Sequence, residues 1–130
     1  MRARIIALTA VALMVVRLSA AASPHITAEQ ARQWLIFAPP PAYPESARVS
    51  RIQGSGYFKL IVRVKTGRIQ RIVVFRSTGN SMLDAAAVQA LRQWRFKPGV
   101  LPSIRQLYPP TKEPDADKDA CVLVPISFVR

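Results

Sequence analysis

The side chains in this chain that could do covalent chemistry are few, and they stand apart. His25 is the only histidine and Cys121 the only cysteine. A Ser-His-Asp arrangement or a histidine-based metal site therefore has almost no material. Asp84 belongs to a helix-capping pattern and Glu45 sits alone in a proline-flanked turn, so no paired carboxylates are available for acid–base work. Gly54-Ser55-Gly56 is too short to cradle a phosphate and precedes a strand, not a helix. These residue types point away from an enzyme and imply no cofactor. A single cysteine reads as a small buried hydrophobe. What remains is the chemistry of binding: the backbone of an apolar C-terminal run with Pro125 in its middle, and an excess of cations.

That excess is uneven. The chain has 19 Lys and Arg against 7 Asp and Glu, for a net charge of +12. Residues 43–99 hold 11 of the cations against only Glu45 and Asp84, while residues 100–130 balance four against four. A basic folded unit suits nucleic acid, anionic lipid headgroups or acidic protein partners, or is a solubilising surface. Arg63, Lys65, Arg68 and Arg71 flank a hairpin, with Tyr57 placed to stack a base, which makes a basic module for nucleic acid or an anionic surface the alternative reading.

The elements that position these groups begin after an export pattern. Arg2 and Arg4 precede an apolar run from Ile5 to Val16, and Ser19-Ala20-Ala21-Ala22-Ser23 follows. Basic residues, a short apolar stretch and small residues are the layout of a secretory signal. The run spans about 18 Å as helix, against a hydrocarbon core of about 30 Å. Extending it to Ala22 would bury Arg17. The expectation is a signal peptide over residues 1–22, cleaved to leave a periplasmic product, with an uncleaved inner-membrane anchor facing the periplasm as the alternative. Export across the inner membrane argues against nucleic acid as the partner. Residues 23–42 read as a Pro-rich linker, in which Thr27 and Gln30 form a capping-box pattern for a short helix through Trp34.

Residues 43–130 read as one small domain. Pro44 suits the first turn of a helix over 44–49. From Tyr57 to Val64 residues alternate, with Phe58, Leu60, Val62 and Val64 on one face of a strand. Gly54 and Gly56 before it permit a bulge or the close approach of another backbone. Thr66-Gly67 closes a hairpin onto a return strand, Ile69 to Phe75. Ser81 to Asp84 opens a helix whose stripe is Leu83, Ala87, Ala90, Leu91 and Trp94. Residues 100–120 read as a long exposed loop. Cys121 to Val129 is a last strand with Val122, Val124, Ile126 and Phe128 on one face. Pro125 lacks an N–H and places this strand at an edge. The fold class is α+β: a three-stranded antiparallel sheet (54–65, 68–76, 121–129) with the helix 82–94 on one face and a short helix before it. The first strand is central.

An exposed edge is a row of unpaired donors and acceptors to which an extended peptide can add itself. The order of Tyr43-Pro44, Ile52-Gln53-Gly54, the hairpin, Arg76-Ser77-Thr78-Gly79-Asn80, Leu83-Asp84-Ala85-Ala86, Trp94 to Pro98 and Val124 to Phe128 resembles the C-terminal domain of TonB-family energy transducers. The resemblance covers about residues 39–130. It implies a binding module that captures the TonB box of an outer-membrane TonB-dependent receptor by strand addition at the last strand. The matching positions are Val122, Leu123, Val124, Pro125, Ile126, Ser127 and Phe128, with Arg48 and Arg51 near the same segment. Family members often carry glutamine at the position of Arg48; Arg48 and Arg51 suit an acidic partner peptide.

The resemblance also implies an inner-membrane motor of the ExbB–ExbD kind. Family anchors carry a Ser and a His inside the membrane helix, whereas here Ser19 follows the apolar run and His25 lies outside it. Residues 23–41 reach at most about 65 Å fully extended, short for the family's spacer. Exposed edges in such a small domain also permit a strand-exchanged homodimer.

Overall fold

The structure, a computed structural model, describes residues 25–129, so the export pattern at residues 1–22 lies outside the described residues. The chain forms β1 (Ile26–Thr27), α1 (Ala28–Ala31), a 3-10 turn (Arg32–Trp34), β2 (Leu35–Phe37), α2 (Glu45–Val49) and β3 (Gly54–Arg63). It continues through β4 (Arg68–Arg76), α3 (Ser81–Leu91), β5 (Arg95–Phe96), α4 (Ile104–Leu107) and β6 (Asp119–Phe128). The class is α+β as expected, but the sheet has six strands in the order β1-β6-β3-β4-β5-β2, not three.

The centre of the sheet follows the alternation in the sequence. β3 lies between β6 and β4, antiparallel to both. Phe58, Leu60 and Val62 are wholly buried and share a face with Val122, Val124, Ile126 and Phe128 of β6. Onto that face α3 lays Leu83, Ala87, Ala90 and Leu91. Each fully buried large side chain there contributes about 1.5–3 kcal/mol. The N-cap of α3 is Asn80, one residue earlier than the pattern suggested; its side chain accepts from Met82 N and Leu83 N at 2.9 and 3.2 Å. Asp84 reaches back to residues 77–78 instead of closing a box with Ser81. The helix ends at Leu91, ahead of the expected residue 94, because Arg95–Phe96 leave to pair with Arg68 and Leu35.

Gly54 and Gly56 are where another backbone comes close. A Cβ on either would stand 2.4 Å from a carbonyl oxygen, that of Thr78 or of Arg76 respectively. The hairpin turn is longer than Thr66-Gly67. Val64 leaves the ladder because its N–H donates to Lys118 O at 2.9 Å and its carbonyl accepts from Gly99 N at 2.7 Å.

Of the three additional strands, β5 follows α3, and β1 and β2 come from residues 26–37, a stretch expected as linker. The capping box is present: Thr27 Oγ1 accepts from Gln30 N at 3.1 Å, and Gln30 Oε1 accepts from Thr27 N at 2.9 Å. β1 runs parallel to β6 on one side. The chain then crosses to the opposite side, where β2 pairs with β5 and Lys97 N donates to Trp34 O at 2.7 Å. Trp94 Nε1 donates to Pro39 O at 3.1 Å and fixes the proline run. The C-terminal strand is thus not the sheet's edge over its whole length, since β1 lies outside it.

The connection before β6 covers part of the sheet's second face. Ile104 and Ala116 pack on Cys121, with Ile61 against them. Arg63 Nε donates to Asp119 Oδ1 at 2.7 Å, and Arg105 ties Asp117 to the carbonyls of Pro109 and Thr111. Burial pushes the Cys121 thiol pKa up, as suits a buried hydrophobe. The rest of that face shows Tyr57, Val73 and Phe75, with Lys59 Nζ 4.4 Å from the centre of the Phe75 ring. Among the described residues no helix is long and apolar enough to cross a membrane.

Candidate peptide-binding edge

Which backbone groups β6 presents follows from one residue. Pro125 has no N–H, yet the β3–β6 ladder runs unbroken through the Tyr57–Pro125 pair. Pro125 therefore occupies a non-hydrogen-bonded position, with its carbonyl turned away from β3. By the alternation of the strand, the backbone groups of Cys121, Leu123 and Ser127 point the same way, and those of the even-numbered residues point to β3.

β1 takes up the first part of this outward row. Ile26 stands opposite Val122 and Thr27 opposite Leu123. From Val124 onward no described strand lies beside β6 on the side away from β3. The open edge is the Pro125 carbonyl and the Ser127 N–H and carbonyl. Side chains divide by face. Val122, Val124, Ile126 and Phe128 are buried in the core, Leu123 is half-buried, and Pro125 and Ser127 are exposed. The Ser55 hydroxyl donates to Ser127 Oγ at 2.9 Å. Beside the edge, Leu35, Trp94, Phe96, Val124 and Pro125 line an apolar groove of about 270 Å³ together with Ala28, Ala31 and Arg32 of the preceding segment.

The two sequence-predicted arginines lie toward the far end of β6. Tyr43 sets its ring edge-to-face against Phe128, with centroids 5.5 Å apart at 80°. Its hydroxyl donates to the Ile52 carbonyl. The Arg48 guanidinium lies 5.8 Å from the centre of the same ring, and 3.8 Å from Glu45 in an exposed ion pair worth at most about 1 kcal/mol. Arg48 is thus coupled to Phe128 through Tyr43. Arg51 is exposed and ends α2, its N–H donating to Arg48 O at 3.1 Å. Its φ of 59° is left-handed, which disfavours a side chain bearing a Cβ. Arg51→Gly is expected to raise stability by about 0.5–1 kcal/mol. A urea midpoint that falls instead would show that the arginine side chain holds this corner.

Sequence reasoning missed Tyr43 as the link, the groove, and β1 beside β6. A signal for the last existed. Ile26 precedes the N-cap Thr27 and Ala31 is the fourth helical residue, the positions of a hydrophobic staple; both are buried, at 6% and 1% exposure. Among the described residues no three of His, Cys, Asp and Glu converge closely enough to hold a metal ion.

A family model described as Gram-negative bacterial TonB protein C-terminal matches residues 39–109, ending before β6. Protein TonB of Vibrio cholerae serotype O1 is 30% identical over 64 residues, 49% of this chain and 26% of that protein. The match therefore spans about a quarter of that relative's length. The solution NMR structure of the Pseudomonas aeruginosa TonB C-terminal domain has a TM-score of 0.48 at 24% identity, covering 72% of this chain and 80% of that one.

Proposed function

Since the chain belongs to the TonB C-terminal family, we propose that it is a periplasmic binding module, not an enzyme. It captures an extended segment of an outer-membrane receptor by strand addition at β6. The observation that carries this reading is the open edge from Val124 to Phe128, with the Pro125 carbonyl and the Ser127 N–H and carbonyl directed outward. Main-chain hydrogen bonds supply the affinity and neighbouring pockets the selectivity. The apolar groove at Trp94 and Phe96 suits an aliphatic side chain, and Arg48 and Arg51 suit acidic neighbours. In a longer or membrane-anchored form, the same domain would pass force from a motor of the ExbB–ExbD kind to the receptor.

The test removes the open edge's donor and leaves the fold. Ser127→Pro deletes the outward N–H at a position where a proline two residues earlier is already accommodated. A synthetic TonB-box peptide is expected to bind this variant about tenfold or more weakly than the parent chain, with the melting temperature changed by only a few degrees. Equal affinity in the two chains would mean that the peptide does not add to β6. Binding that disappears with salt and ignores peptide sequence would favour a basic surface instead.

A further inference from the structure

We propose that residues 25–31 are this chain's own occupant of the partner's place. β1 holds the β6 edge at Val122 and Leu123 as an internal strand. A partner segment gains the full edge only when β1 withdraws and the partner supplies an aliphatic side chain to the site that Ile26 vacates. The proposal rests on the reading that β6 is where the partner strand adds.

The open part of the edge is small. Three outward backbone groups, at Pro125 and Ser127, engage only a short stretch of a partner strand. Withdrawal of β1 adds the outward groups of Cys121 and Leu123, which more than doubles the row. β1 is also lightly attached. It is 2 residues long and brings one large buried side chain, Ile26. The capping box that follows is internal to the segment and leaves with it. Just beyond, the chain is anchored independently: Trp34 O accepts from Lys97 N, and Leu35 pairs with Phe96. Residues 25–31 can therefore swing out about residues 32–34 without releasing β2.

A tethered strand of this kind competes at high effective concentration, so it lowers apparent affinity for any partner by the fraction of time it is docked. It also specifies the partner. Ile26 faces the core beside Val122, and the adjoining groove is walled by Leu35, Trp94 and Val124. A large aliphatic side chain at the matching position refills that space; a polar one leaves it unsatisfied.

The test locks β1 in place. Continuing the register by one residue sets His25 opposite Cys121, so His25→Cys provides a disulfide to the native cysteine within the full chain. The oxidised variant is expected to bind the synthetic TonB-box peptide at least about tenfold more weakly than the same protein reduced. Ile26→Asp, which evicts β1, is expected to bind at least as tightly as the parent chain while keeping a cooperative melting transition. Equal affinity of oxidised and reduced protein, or weaker binding by a folded Ile26→Asp chain, would overturn the proposal and leave strand addition standing. Failure of the peptide to bind the parent, the reduced and the Ile26→Asp chains alike would overturn strand addition itself, and this inference with it.

Discussion

Gly67→Ala is expected to lower the unfolding free energy by about 3 kcal/mol or more, a large share of the 5–15 kcal/mol typical of a domain. Two effects combine. Gly67 has φ of 74°, in the left-handed region where an L-residue costs about 1–2 kcal/mol. A Cβ there would also stand 1.9 Å from the Phe96 carbonyl oxygen, a backbone atom that no rotamer change can move. The neighbouring segments are tied together, since Phe96 N donates to Gly67 O and Gly99 N to Val64 O. Relieving the clash pulls β5 from the hairpin and disturbs Phe96, which is only 2% exposed. Gly79→Ala is the control. It has φ of 93° but no atom within 4 Å of the added methyl, so its cost is the conformational part alone, about 1–2 kcal/mol. Urea denaturation of the two variants decides the matter: equal losses would remove the packing explanation.

Asp84→Ala is expected to cost about 2–4 kcal/mol at neutral pH, through the corner that joins β4 to α3. One carboxylate oxygen accepts from Thr78 N at 2.9 Å and from Thr78 Oγ1 at 2.6 Å, and the other from Ser77 Oγ at 2.5 Å. Thr78 is buried, so its donors are left without these acceptors. Burial pushes the Asp84 pKa up, but the hydrogen bonds from Ser77 and Thr78 outweigh it and hold the carboxyl below its ordinary value. Because the folded value is depressed, its stabilisation is fully present above the unfolded carboxylate value of about 3.9. It is lost as pH falls through the folded value. The stability difference between parent and variant should therefore be constant from pH 7 to about 5 and shrink below about 4. A difference that persists undiminished at about pH 2 would show that the charge on Asp84 contributes nothing.

The sequence by itself determined the central elements. Strict alternation over Phe58, Leu60 and Val62, and over Val122, Val124, Ile126 and Phe128, located β3 and β6 and their buried faces. Helical spacing located α3, and Gly54 and Gly56 marked the close backbone approach that the structure has at residues 76–78. These features are local: a strand of eight or ten residues with one buried face writes its period into its own composition. Pro125 marked β6 as an outer strand, and the unbroken ladder then fixes the orientation of its backbone, because a missing N–H admits only one position there.

Tertiary structure alone decided what lies next to that ladder. Strands of 2 or 3 residues, such as β1, β5 and β2, have no period to read; β1 and β5 form on the unpaired groups of the longer β6 and β4, and β2 pairs in turn with β5. Residues 100–120 read as an exposed loop because their prolines and acidic residues hide buried apolar residues, among them Leu101, Ile104 and Ala116, too widely spaced to form a pattern. The candidate edge divides in the same way. Its buried and exposed positions follow from alternation within β6, whereas its open length depends on Ile26 and Thr27, nearly a hundred positions away in sequence, which run parallel to β6 and cover it at Val122 and Leu123.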